Sequence, residues 1–196
     1  VVTILKVGGS LFDLPELSQQ LQSIMETQAG SVLLVGGGGE LAEEIRRLDR
    51  IHHWPAIVSH RLAMQTLSVS ALFLSELVQR PVVRSPQEFQ NTVNATRGAV
   101  ADLSCWPSIE SLPPGWDLTS DSLAAWLASE LTATRLLLLK SADPPGTRTS
   151  LQQLADTQLV DPLFPQYAAR LPRIDWINLR DATGNGRVFP IQSIPG

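Results

Sequence analysis

The sequence predicts an α/β protein built on an open, mainly parallel sheet sandwiched between helices in three layers. Three observations predict it. Short apolar runs of strand length recur along the chain, separated by stretches with helical spacing. The runs are continuous rather than alternating, as in strands buried on both faces. Two of them, residues 1–7 and 31–35, end in glycine clusters, Gly8-Gly9 and Gly36-Gly37-Gly38-Gly39. In open sheets of this kind ligands bind beyond the carboxyl ends of the strands, where both clusters fall.

The elements follow in order. After the first strand, Asp13-Leu14-Pro15-Glu16 offers a capping aspartate, an early proline and a glutamate three residues on. Leu17, Leu21, Ile24 and Met25 then repeat at helical spacing until Gly30. Past Gly39, the residues Leu41, Ile45, Leu48 and Ile51 mark a second amphipathic helix, with His52-His53 as its polar end. Residues 62–77 read as a third helix begun by His60, followed by short strands at 81–83 and 98–103. Residues 106–116 are a proline-rich loop, 120–131 a helix and 135–139 a fully apolar strand. A second loop at 142–149 precedes helices at 151–155 and 163–171, and strands at 173–179 and 187–191 close the fold. No repeat or linker divides the chain, so a single domain over 1–196 is expected.

Composition narrows the function. A net charge of −4 gives no global field for nucleic acid, so an anionic substrate has to be held by local amides and a few cations. Cys105 is alone and cannot form an intrachain disulfide, which fits a reducing cytoplasm. No basic leader precedes the first strand, no apolar run approaches the ~18 residues of a membrane span, and a cytoplasmic protein without membrane or nucleic-acid partners is expected.

Glycine lets backbone amides approach a ligand closely, and each cluster leads toward a helix start, where unpaired amides attract anions. Two such loops in one domain read as two phosphate sites facing a common crevice. For either cluster alone, a tight turn with no ligand remains the alternative. Neither fits the Gly-x-x-x-x-Gly-Lys pattern of P-loop proteins. Gly37-Gly38-Gly39-Glu40-Leu41-Ala42 fits a loose dinucleotide fingerprint, but the stretch about 20 positions later, Ala56-Ile57-Val58-Ser59-His60, lacks the carboxylate that a ribose needs. Lys6 interrupts an apolar strand, where an unpartnered ammonium is costly. It reads as a cation aimed at phosphate oxygens, with a strand-end lysine reaching solvent as the alternative. Asp121, in the first turn of its helix after Thr119-Ser120, reads as the acid that orients Lys6 and organises the site, with a carboxylate merely favoured by the helix dipole as the alternative.

The order Lys6-x-Gly8-Gly9-Ser10, then Gly36-Gly37-Gly38-Gly39, then Thr119-Ser120-Asp121-Ser122, then Lys140-Ser141-Ala142-Asp143 resembles the amino acid kinase superfamily over about residues 1–145. Within it, the short length, Ser59-His60-Arg61-Leu62-Ala63-Met64 and the block at 116–128 resemble the small kinases of methanofuran biosynthesis, which convert an aminomethylfuran-methyl phosphate to its diphosphate. The resemblance implies in-line transfer from ATP with Mg2+ to a small, phosphorylated acceptor, with Mg2+ held by phosphates and water and no protein metal site. It implies that Lys6 contacts the transferring phosphoryl group and that Asp121 organises the centre. Gly8, Gly9 and Ser10 would hold nucleotide phosphates, and Lys140, Ser141 and Asp143 would border the base and ribose. Gly36, Gly37, Gly38 and Gly39, with His60 and Ser120, would cradle the acceptor. The acceptor side would span about 1–115 and the nucleotide side about 116–196, and a homodimer or larger assembly would form, with the helix at 62–77 as the candidate surface.

Two departures stand out. Many superfamily members carry a second catalytic lysine after the nucleotide strand, and residues 144–196 contain none; Arg148 and Arg170 are the candidates to replace it. The usual Thr-Asp-x-Asp-Gly pattern is also replaced by Lys140-Ser141-Ala142-Asp143-Pro144. The alternatives are a catalytically weakened nucleotide- or anion-binding protein of the same fold and a uridylate-kinase-like nucleotide kinase.

Overall fold

The apolar runs become eight strands of one sheet in the computed structural model, which describes residues 1–181 and 186–192; residues 193–196 of the expected domain lie outside that range. They are β1 (Val2–Val7), β2 (Ser31–Gly36), β3 (Val82–Val83), β4 (Gly98–Ala101), β5 (Arg135–Lys140), β6 (Thr149–Ser150), β7 (Ile174–Asn178) and β8 (Val188–Gln192). The helices are α1 (Leu17–Thr27), α2 (Gly39–His52), α3 (Ala56–Val78), α4 (Pro86–Thr96), α5 (Ser120–Glu130), α6 (Leu151–Asp156) and α7 (Phe164–Ala168). The strand order is β3-β4-β2-β1-β5-β7-β8-β6, and all pairs are parallel except β7 with β8. Mainly parallel strands between helical layers are the architecture expected.

Strand alternation divides the core into two faces. Leu5, Val7, Leu34, Leu137 and Leu139 pack with Leu17 and Leu21 of α1 and with Ala71 and Leu74 of α3. Ile4, Leu33, Leu136, Leu138 and Trp176 pack on the other face with Leu123, Ala124 and Leu127 of α5 and Phe164 of α7. Lys6 follows Ile4 by two residues, and Lys140 follows Leu138 by two. Both lysines therefore enter on the α5 face. In the β1–β2 register Val7 pairs with Gly36, so the two glycine clusters leave adjacent strands at the same edge of the sheet.

Four local expectations need correction. The third helix starts at Ala56, not near residue 62, because Pro55 sets its first turn and nothing breaks the run through Val58. His60 thus lies inside α3 rather than beginning it. The unassigned stretch before β4 is α4, capped by Ser85, whose Oγ accepts from Glu88 N at 3.2 Å, while Glu88 Oε2 accepts from Arg84 N at 2.8 Å. The loop at 106–116 contains a 3-10 turn at Ile109–Ser111 and buries Trp106, Ile109 and Leu112. Amphipathic α2 buries none of its residues, and Leu41 and Ile51 are exposed; it leans on α3 as the wall of a cleft. α3 has the length and composition to cross a membrane, yet Ala71 and Leu74 are fully buried in the core between the sheet and α1.

Candidate active site

The two glycine loops lock against each other. A Cβ on Gly9 would stand 2.3 Å from Gly39 N, and one on Gly37 would stand 2.7 Å from Gly9 N and 3.4 Å from Lys6 Nζ. No side chain fits between backbones this close, so glycine is required at both positions. Gly8 N donates to Leu139 O at 2.8 Å and Gly37 N to Val7 O at 2.8 Å, which ties both loops to the ends of β5 and β1. Those two amides are engaged in holding the loops and are not available to phosphate. The amides at the start of α2 have no side-chain cap. Ser70 of α3 supports the second loop from below, its Oγ donating to Gly37 O at 2.7 Å.

Beneath the loops lies a buried charged group of three. Lys6 Nζ is 2.9 Å from Asp121 Oδ1, an ion pair rather than an aligned hydrogen bond. Lys140 Nζ donates to Asp121 Oδ2 at 2.8 Å and to Leu159 O at 2.7 Å. These are the only two lysines in the sequence, and both meet one carboxylate. Burial alone would raise the Asp121 pKa, but the Lys140 and Lys6 ammoniums outweigh it and hold it at about 2. Burial pulls the Lys140 pKa down, Asp121 pulls it up and Lys6 pushes it down again, to about 8. With both lysines protonated, two cations share one anion, and a net positive charge sits behind the loops.

In front of them opens a cavity of about 850 Å3. Its floor is Gly9, Ser10 and Gly37 to Gly39, and its apolar walls include Phe12, Met64, Leu67, Leu118 and Leu123. Trp116 closes one side: its Nε1 donates to Asp49 Oδ2 at 2.8 Å, and the Arg46 guanidinium sits 4.7 Å from its ring centroid. His60 lines the same wall; burial lowers its pKa, opposed by a hydrogen bond to the Gly115 backbone.

Of the sequence-predicted residues, Gly9, Ser10, Gly37, Gly38, Gly39, His60 and Ser120 line this cavity together. Gly36 ends β2 and faces Ser70 and Leu74 instead. Lys6 and Asp121 meet behind the floor. Lys140 joins them, turning away from its sequence neighbours. Ser141 Oγ lies 2.9 Å from Ser10 Oγ, and Asp143 accepts from Asn178 Nδ2 at 3.0 Å. Arg148 and Arg170 are exposed and are not partners of Asp121. Sequence reasoning missed Arg46 and Trp116 as cavity wall and Asp49 as the partner of Trp116. It also missed Asp161, which binds the start of α5. No local motif marks Arg46, Asp49 or Asp161, and the block at 116–128 does not show what Trp116 meets, because each acts through a partner distant in sequence.

Two interlocked glycine loops over two buried ammoniums, at the strand ends of a sheet covered on both faces, mark this as an α/β protein with its cleft where such sheets place theirs. Its fold is that of the amino acid kinases. Uridylate kinase from Archaeoglobus fulgidus superposes with a TM-score of 0.68 at 20% identity, covering 97% of this chain and 99% of that one. UMP kinase from Ureaplasma parvum gives 0.69 at 13%, covering 97% and 98%, and aspartate kinase from Synechocystis gives 0.68 at 14%, covering 100% of this chain and 40% of that one. In sequence, the chain is 22% identical over 142 residues to the (5-(aminomethyl)furan-3-yl)methyl phosphate kinase of Methanocaldococcus jannaschii, over 71% of this chain and 66% of the relative. No protein-family profile matches.

Proposed function

We propose that this protein is an ATP-dependent small-molecule kinase of the amino acid kinase superfamily, transferring the γ-phosphoryl group of Mg-ATP to a small phosphorylated acceptor. One observation carries the reading. Both lysines of the chain converge on Asp121 directly behind two interlocked glycine loops. In the proposed reaction an acceptor phosphate oxygen attacks the γ-phosphorus, the bond to the β–γ bridging oxygen breaks, and ADP leaves. Lys6 stabilises the charge that develops on the transferring group, and Asp121 holds both ammoniums in place. Lys140, supplied by β5, takes the part for which residues 144–196 offer no lysine. Mg2+ enters as part of the nucleotide substrate; among the described residues no cluster of His, Cys, Asp or Glu is built to hold a metal.

The acceptor lies over Gly37 to Gly39, its phosphate toward the start of α2 and its body against Trp116, Met64, Leu67 and Leu118. An apolar ring of furan size suits that wall, which makes the aminomethylfuran-methyl phosphate acted on by the Methanocaldococcus relative the first acceptor to test. The two sides of the crevice, about 1–115 for acceptor and 116–196 for nucleotide, belong to the same proposal, as does a cytoplasmic location.

The test is incubation of the purified protein with Mg-ATP and that furan phosphate, followed by 31P NMR. Appearance of ADP with a new diphosphate is the expected result. A parallel arm with UMP yielding UDP instead would assign a nucleotide kinase. Tight ATP binding without transfer to any acceptor in a phosphorylated-metabolite panel would replace the proposal with a binding protein of the same fold.

A further inference from the structure

Asp161 lies outside every motif in the chain, yet it is 7% exposed and accepts four hydrogen bonds, all from the start of α5. Its Oδ2 accepts from Thr119 N at 3.2 Å, Thr119 Oγ1 at 2.8 Å and Ser122 N at 3.0 Å, and its Oδ1 accepts from Ser122 Oγ. Thr119 occupies the N-cap position of α5, but its hydroxyl caps nothing in its own helix. The cap is supplied instead by a carboxylate 39 residues beyond Ser122. The same short segment reaches the other half of the buried ion pair, where Leu159 O accepts from Lys140 Nζ. Leu163 N also donates to Asp117 O at 3.3 Å. Residues 159–163 therefore grip both the helix turn that carries Asp121 and the ammonium that faces it.

We propose that Asp161 is a positioning residue for phosphoryl transfer: by accepting from Thr119 and Ser122 it fixes the first turn of α5 so that Asp121 meets both lysines. An acceptor is needed here because two of the partners are backbone amides that can only donate, and both reach Oδ2. An asparagine whose oxygen takes that place keeps both amides and turns its NH2 group toward the Ser122 hydroxyl, which can rotate to accept, whereas an alanine leaves both amides without an acceptor. The charged groups facing Lys140 are Asp121 from α5, Lys6 from β1 and Asp161 from the segment after α6, with the Trp176 ring of β7 at 5.3 Å.

The catalytic part of this inference rests on the kinase reading; the placement of Asp121 against Lys140 does not. With only two lysines in the chain, 13C-labelled lysine gives two resonances, assigned with Lys6→Met. In Asp161→Ala the Lys140 resonance is expected to titrate lower than in the parent, because Asp121 is no longer held against it. The kcat for transfer is expected to fall ~10-fold or more with the acceptor KM within about twofold, as for misplacement of groups that act in the transition state. Asp161→Asn keeps an acceptor for both backbone amides and is expected to restore most of that kcat; a loss as large as that of Asp161→Ala would overturn the positioning account. The double variant Thr119→Val/Ser122→Ala removes the two hydroxyl donors and is expected to move kcat and the Lys140 titration in the same direction by less. An unchanged Lys140 titration and kcat in Asp161→Ala, with only a lower Tm, would reduce Asp161 to a helix cap and overturn the proposal. If Asp161→Ala does not fold, an unchanged kcat and Lys140 titration in the double variant overturns it. A parent that transfers no phosphoryl group sinks the kinase reading, and the titration arm then decides the positioning role alone.

Discussion

Lysine is nearly absent from this protein, and both copies are directed at one carboxylate. That arrangement makes the three residues unequal. Removing Lys6 leaves Asp121 paired with Lys140, so Lys6→Met is expected to fold normally, lose ~10²-fold or more in kcat, and raise the Lys140 pKa by removing a repelling charge. Removing the shared anion is different. Asp121→Asn leaves two buried ammoniums facing each other, which should cost about 3–5 kcal/mol in urea denaturation as well as activity. Lys140→Arg should not rescue Lys140→Met, because a planar guanidinium does not fill the place of a compact ammonium held by a carboxylate and a carbonyl. The pH dependence separates activity from stability. The folded Lys140 value of about 8 lies below the ordinary 10.5, so between those values the unfolded chain binds the extra proton and the Lys140 contribution to stability rises with pH. Activity runs the other way. It should decline as pH climbs through about 8 and the ammonium is lost. A flat kcat profile from pH 7 to 9.5 would remove Lys140 from the mechanism.

At the level of elements, the legible parts were those whose meaning is local. A strand running into glycines is readable because turn and close approach are both properties of the glycine itself, and β1 and β2 place Gly9 and Gly37 in contact as adjacent parallel strands must. The start of α5 was readable because Asp121 lies in a first turn. α4 is also marked, since Ser85-Pro86-Gln87-Glu88 carries its own cap, but its apolar stripe, Phe89 and Val93, is short. Asp161 was not readable at all: nothing near it in sequence says that it will cap a helix begun 41 residues earlier at Ser120. The same holds for Trp116 and Asp49, 67 residues apart and joined by a hydrogen bond at the cavity wall that Trp116 forms. Two substitutions test how far the site depends on its elements. Gly9→Ala forces the glycine loops apart and should abolish transfer while β1 remains formed, seen as lost kcat with unchanged far-UV circular dichroism. Ala124→Leu overfills the seam between α5 and the sheet, where Ala124 is fully buried. It should cost about 1–3 kcal/mol, and a kcat loss in the folded fraction would show that α5 carries Asp121 away from the lysines as it shifts.

For the molecule as a whole, the uneven burial of α3 bears on assembly. One side of this helix is core, through Ala71, Leu74 and Val78, while Val69, Leu72 and Phe73 face outward, with Val69 52% and Leu72 56% exposed. Leu41 of α2 is exposed as well, and Phe73 and Val69 also border the cavity. Exposed apolar side chains on this face make it the surface at which to test such a contact. The homodimer or larger assembly expected from the sequence would place α3 helices face to face, and a stable pair needs about 800 Å2 from each partner, more than three side chains provide. The interface therefore has to extend onto α2 or α1, close to the acceptor cavity. Leu72→Glu puts a charge at the centre of that surface without touching the core or the buried ion pair. Light scattering is expected to show a dimeric parent and a monomeric variant that is still folded. A variant with unchanged mass would take the dimer off α3. If the monomer forms and also loses affinity for the acceptor while keeping its affinity for ATP, the partner copy supports the cavity wall. Equal acceptor affinity in monomer and dimer would make the two sites independent.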